Sequence, residues 1–72
     1  MGIPTVEIKD GKKVGVWKLM NEKWCVLVVN CEVVSGELII ARRRNGFEMV
    51  FSVKEVYKTE TGINVCEVFT ID

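Results

Sequence analysis

The chain has no histidine, one proline and a single alanine, Ala41. Without imidazole there is no Ser-His or Cys-His pair for nucleophilic catalysis, and a zinc site loses one of its usual ligands. With so little alanine and no window of apolar residues at i, i+3, i+4 and i+7, no amphipathic helix is expected. Excess charge is missing as well, since ten basic residues face ten acidic ones. A general polyanion binder draws its affinity mainly from phosphate neutralisation, so a neutral chain is a poor candidate for one. The most hydrophobic stretch, Trp24 to Val29, is followed by Asn30 and Glu32 and falls far short of a membrane span. Met1-Gly2-Ile3-Pro4 shows neither a basic n-region nor an apolar h-region. The expectation is a cytoplasmic protein, free of membrane, whose three cysteines (Cys25, Cys31 and Cys66) stay reduced.

What the chain does contain is β-structure. Seventy-two residues, 1–72, make one domain, and 49% of them are hydrophobic. A body of this size buries only about 60% of the surface its unfolded chain exposes. Some of the apolar surface should therefore remain outside. Turn signals recur at short intervals: Asp10-Gly11, Asn21-Glu22-Lys23, Ser35-Gly36, Asn45-Gly46 and Thr59-Glu60-Thr61-Gly62. Between them lie runs rich in Val, Ile, Phe and Trp, which suit a pleated, half-buried surface. Six strands are expected near 4–9, 12–20, 24–34, 37–44, 47–58 and 63–71. The fold class is all-β: a small antiparallel meander without significant helix. It closes or curls strongly into a barrel of SH3-like type rather than an OB-fold with its extra helix.

Turn chemistry suggests registers. Asn45-Gly46 as a two-residue type I′ loop sets Arg44 opposite Phe47, Arg43 opposite Glu48, Ile40 opposite Phe51 and Leu38 opposite Val53. One face then carries Leu38, Ile40, Phe47, Met49, Phe51 and Val53, and the other pairs Arg43 with Glu48 and Glu37 with Lys54. A two-residue loop at Ser35-Gly36 adds Cys25, Leu27, Val29, Cys31 and Val33 to the inner face. A three-residue loop at Asn21 to Lys23 adds Trp17 and Leu19, and Asp10-Gly11 brings in Val6 and Ile8.

These registers leave an outer face of Val14, Val16, Met20, Trp24, Val26, Val28, Ile39, Ala41 and Val50, where a one-layer sheet should be polar. An apolar patch of that extent marks an interaction surface. Val16, Met20, Trp24, Val28 and Ile39 are the candidate contacts for a protein partner or a second copy of the chain. The plainer alternatives are a meander that folds over and buries both faces as a sandwich, or a second-hairpin register slipped by one residue. The second candidate is the tip Arg42-Arg43-Arg44, widened by Lys12 and Lys13. Trp17, Trp24 and Tyr57 would serve as stacking faces for a nucleic acid. Against it stands a charged tip that merely keeps an edge soluble.

The remaining patterns favour structure over chemistry. Alternation breaks at Lys54-Glu55, where a β-bulge is the plainer reading than an inward Glu55 facing Glu67 as an acid/base pair. Cys25 and Cys31, six residues apart on one strand, would stand about 20 Å from each other, too far to share an ion or a disulfide. No glycine loop cradles phosphate, and no cofactor or metal is expected. The sequence thus points to a non-enzymatic interaction module with an apolar β-face. The alternative is a nucleic-acid-binding barrel that uses the arginine tip, and a small enzyme built on Glu55, Glu67 and Tyr57 trails behind.

Overall fold

The computed structural model describes residues 6–70, so the expected strand positions 4, 5 and 71 lie outside the described residues. Six strands form in chain order: β1 (Ile8–Lys9), β2 (Lys12–Met20), β3 (Lys23–Val29), β4 (Leu38–Arg42), β5 (Glu48–Glu60) and β6 (Ile63–Thr70). No helix occurs among the described residues. The strands lie in the order β1-β2-β3-β6-β5-β4, and β4 pairs again with β2, so β2 to β6 close a five-stranded barrel with β1 appended to β2. The all-β class, the six strands and the closed barrel are those the sequence predicts.

The connectivity differs from a meander at one place. β3 does not turn back on β4 through Ser35-Gly36; it pairs with β6, and β4 runs parallel to β2. The chain crosses between them through residues 30–37. Asn30 starts the crossing in a left-handed conformation (φ 63°), and its amide donates to the Gly62 carbonyl. The crossing ends along β5: Gly36 N donates to Val53 O (2.7 Å), Val53 N to Glu37 O (2.8 Å) and Ser35 Oγ to Lys54 O (2.7 Å). These bonds satisfy backbone groups that an unpaired loop would leave dry.

Two hairpins are shifted by one residue from the expected register. At the β2–β3 turn the loop is Asn21-Glu22 alone, both residues at positive φ (50° and 67°), and Met20 pairs with Lys23. Trp17 therefore faces Val26 instead of Leu27. At the β4–β5 turn Gly46 has positive φ (92°) and Asn45 does not. Arg43 N donates to Phe47 O and Gly46 N to Arg43 O, both at 2.8 Å. The loop is the three residues Arg44-Asn45-Gly46, with Asn45 Oδ1 accepting from Phe47 N (2.9 Å), a turn followed by a glycine bulge. Arg42 now faces Glu48 and Ile39 faces Phe51. The expected pairs Arg43–Glu48 and Glu37–Lys54 are replaced by Arg42–Glu48 and Lys13–Glu37.

A one-residue slip at a hairpin turns one strand over relative to its partner, so β3 and β4 present the opposite side chains while Trp17, Phe51 and Val53 stay on the core side as expected. The core consists of Val26, Val28, Val33, Ile39, Ala41, Phe51, Val53 and Cys66, with Trp17, Cys31, Val56 and Val68 packed against it. Val26, Val28, Ile39 and Ala41, expected outside, are the interior wall, whereas Leu38 and Met49, expected inside, are exposed. Gly15 shows how tight that interior is. A Cβ there would stand 2.7 Å from Leu27 O and from side-chain carbons of both Val26 and Val28, so only a hydrogen fits. The expected bulge is present between Val53 and Glu55, and a second lies between Lys58 and Glu60. Both bend the long β5 strand around the barrel.

Candidate interaction site at the open end of the barrel

The two ends of the barrel are built differently. Where the crossing passes, Val33 is buried in the core and the Asn64 carboxamide donates to Val28 O (3.1 Å) and Cys31 O (2.8 Å), tying the crossing to β3 and β6. Lys13 bonds the Glu37 carboxylate (2.8 Å) and the Glu32 carbonyl (2.5 Å) at the same end. The opposite end carries the β2–β3 turn, the β4–β5 turn and the end of β6, and it is open.

An open cleft of about 670 Å³ lies there, lined by Trp17, Trp24, Arg43 and Arg44. The register explains the convergence. Trp17 and Leu19 on β2 face Val26 and Trp24 on β3, so all four lie on the inner side of one hairpin. Val26 sits inside the barrel, but the hairpin runs on past the closed wall. Among the described residues nothing covers Leu19 and Trp24, and Trp24 is 63% exposed. Because β4 runs parallel to β2, with Val16 beside Arg42, the β4–β5 tip emerges next to the end of β2. The arginines are delivered to the tryptophans by topology, not by sequence proximity.

The two indoles differ in freedom. Trp17 is half-buried and meets Phe51 edge-to-face, with centroids 5.3 Å apart and planes at 86°. Trp24 has no ring partner among the described residues. The arginines also divide. Arg42 is clamped between Glu7 and Glu48 (Nε to Glu48 Oε2, 2.8 Å), and both carboxylates raise its already high pKa. Arg43 lies over the Phe47 ring, 5.6 Å from its centroid, and neither Arg43 nor Arg44 has a carboxylate partner among the described residues. Two positive charges therefore face the cleft with no carboxylate partner among the described residues.

Of the expected contact residues, Trp24 lies in this cleft. Val16 is exposed, and Met20, half-exposed, lines a separate outer cleft of about 350 Å³ with Cys25, Tyr57, Val65 and Glu67. Val28 and Ile39 are corrections: both are 0% exposed and belong to the core, because the slipped hairpins turn them inward. In the arginine group, Arg43 and Arg44 reach the cleft and Arg42 is held by its carboxylates. Lys12 and Lys13 do not widen the patch. Lys13 pairs with Ile39, four residues before Arg43, about 13 Å along the strand at ~3.3 Å per residue, and it is already ion-paired. Trp17 carries more of the site than its sequence context implied, since nothing local shows that it would face an arginine tip 26 residues away.

The other candidates gather no comparable site. Glu55 does face Glu67 across β5 and β6, but on the outer surface. Tyr57 Oη donates to Glu67 (3.1 Å), Lys23 lies 3.5 Å from it, and the bond to Glu67 pushes the phenol pKa up. Cys25 and Cys66 are buried, Cys31 is half-buried, and all three are free. Burial pushes the Cys66 thiol up to about 11 and raises that of Cys31, which works against thiolate chemistry. The described residues contain no cluster of three or more potential metal ligands and no helix long and apolar enough to cross a membrane. Compared with known proteins, the chain matches no family model, no curated protein and no solved structure.

Proposed function

We propose that the protein is a non-enzymatic interaction module whose working surface is the open end of the barrel, in a reducing, cytoplasmic setting. The observation that carries this reading is the cleft in which two indoles converge with two guanidiniums that have no carboxylate partner among the described residues. Trp and Arg are the residue types that dominate binding energy at interfaces, and a rigid barrel holds them without prior ordering. Burial pushes the Cys31 and Cys66 thiols toward their neutral form, and the described residues lining the cleft include no carboxylate base. Amide chemical-shift mapping tests the reading, with short oligonucleotides, an acidic peptide and dilution of the protein itself as the titrations. Shifts should concentrate at residues 17–24 and 43–47. Saturable shifts confined to the outer surface around Tyr57 and Glu67 would sink it.

A second reading, a protein partner or a second copy of the chain, is favoured by the apolar rim. Leu19, Trp24 and Phe47 are each more than half exposed. Covering side chains of this size is worth about 1.5–3 kcal/mol apiece, a large return for a domain this small. On this reading the wild type is dimeric in light scattering at micromolar concentration, and Trp24→Glu converts it to a folded monomer.

A further inference from the structure

We propose that the occupant of the open end is single-stranded nucleic acid, with one base stacked on Trp24, a neighbouring base on Trp17, and the phosphates between and beside them on Arg43 and Arg44. The inference rests on the open end being the working surface. An occupant of that cleft must satisfy two conditions together. It must bring negative charge, because Arg43 and Arg44 have no carboxylate partner among the described residues. A purely apolar cover would strip water from them without replacement. It must also bring flat apolar faces at short intervals, because the indoles are the apolar part of the lining. Single-stranded nucleic acid alternates aromatic faces with phosphates along its backbone, and stacking on aromatic side chains needs no base identity.

The differences among the four residues give the site an internal logic. Trp17 is held edge-on by Phe51 and acts as a fixed platform; Trp24, without a ring partner, adapts to the second base. Arg43 is pre-oriented over Phe47, which keeps its guanidinium at the rim in the absence of ligand. A cleft of about 670 Å³ lies within the roughly 300–1,000 Å³ range of small-molecule sites. It takes a couple of nucleotides, and a duplex, whose bases already stack on each other, has nothing to offer the indoles. Neutral overall charge is consistent with such a site, because two phosphate contacts need no general positive field. It also sets the expectation of weak binding with shallow salt dependence.

The test is intrinsic tryptophan fluorescence and anisotropy with three labelled probes at 50 mM salt: a ten-nucleotide deoxythymidine strand, the matching uridine strand, and a ten-base-pair duplex. Stacking should quench the fluorescence with the single strands, and the duplex should bind at least tenfold more weakly. Agreement between the two single strands identifies stacking and phosphate as the shared chemistry. A preference for uridine assigns the ligand to RNA, and one for deoxythymidine to DNA. Two phosphates released at about 0.7 each give a slope near −1.4 in log K against log salt. Arg43→Ala with Arg44→Ala should flatten that slope toward zero. Trp24→Ala should weaken binding about tenfold with the slope unchanged, and Trp24→Phe should restore most of it, since loss of one base stack removes about 1–3 kcal/mol. Trp17 remains as reporter, and circular dichroism confirms that the variants, all at exposed positions, stay folded. Equal binding of duplex, or affinity indifferent to Trp24, overturns the proposal. Absence of binding to every probe while Trp24→Glu alters the oligomeric mass also overturns it, yet leaves the open end as the working surface. Absence of both removes the two readings together.

Discussion

The closed and open ends of the barrel use the same wall strands to opposite effect. At the closed end the buried Asn64 carboxamide is answered by two carbonyls, Lys13 on the surface pairs with Glu37, and the crossing segment makes three backbone or side-chain bonds to β5. At the open end the β2–β3 hairpin and the β4–β5 tip overrun the ring, and among the described residues aromatic faces and two guanidiniums are left without answer. Satisfied polar groups and exposed aromatic faces are thus segregated along one axis, and on the proposed reading the first keeps the small core intact while the second meets a partner.

The largest expected contrast lies between two positions that alternation alone would have treated alike. Ile39→Asp places an unpaired carboxylate among Val26, Val28 and Phe51, and a domain with about 5 kcal/mol of stability should lose cooperative unfolding altogether. Trp24→Asp, at a site 63% exposed, should leave the urea midpoint nearly unchanged. Similar midpoints for the two variants would break the distinction between core wall and overrunning hairpin. Gly15→Ala comes next. Its new methyl meets Leu27 O and two valine side chains at 2.7 Å, so about 1–3 kcal/mol of overpacking is expected, read from the same denaturation curves.

Asn64→Ala should cost about 1–3 kcal/mol, because the carbonyls of Val28 and Cys31 lose their buried donor. Its signature is local: amide exchange should quicken in the crossing, around residues 30–37, while the open end is unaffected. Equal loosening at Trp24 and Arg44 would show that the ends are not independent.

How far the sequence reveals these ends depends on which physical signal each part uses. The β-class, the turn positions and the bulge at Lys54-Glu55 follow from local composition and broken alternation, and the structure has them. Register does not follow, for a reason visible in Val26-Leu27-Val28-Val29 and Ile39-Ile40. Both faces of these strands are apolar, so a one-residue slip leaves an equally plausible pattern, and only the turn decides. At Asn21-Glu22 a glutamate at φ 67° is an uncommon occupant of such a turn, and at Asn45-Gly46 the glycine serves a three-residue loop instead. The crossing over residues 30–37 is non-local and leaves no sequence mark beyond a misleading Ser-Gly. Trp17, Trp24, Arg43 and Arg44 were each legible as candidates. Their meeting depends on the parallel β2–β4 pair, which no local pattern encodes.

The smallest expected effect concerns the wall between the two ends, where Arg42 bridges Glu7 and Glu48 and Lys9 joins Glu48. Bonds from Arg42 hold the Glu7 carboxyl below its ordinary value of 4.5, and bonds from Lys9 and then Arg42 do the same for Glu48. A carboxylate whose pKa is lower in the folded state than in the unfolded chain stabilises the fold above the unfolded value. That contribution is lost as pH falls from about 4.5 through the lower folded values. Melting temperature should therefore drop modestly on acidification through that window, and Glu48→Gln should remove part of the drop. Because the network is open to solvent, added salt should shrink the effect further. The described residues that line the open end include no carboxylate, so Trp24 fluorescence in the folded protein should stay level across the same pH range. A titration of that fluorescence near pH 4 would mean that the carboxylates of the wall reach the cleft, and that Arg42, rather than Arg43 and Arg44 alone, sets its charge.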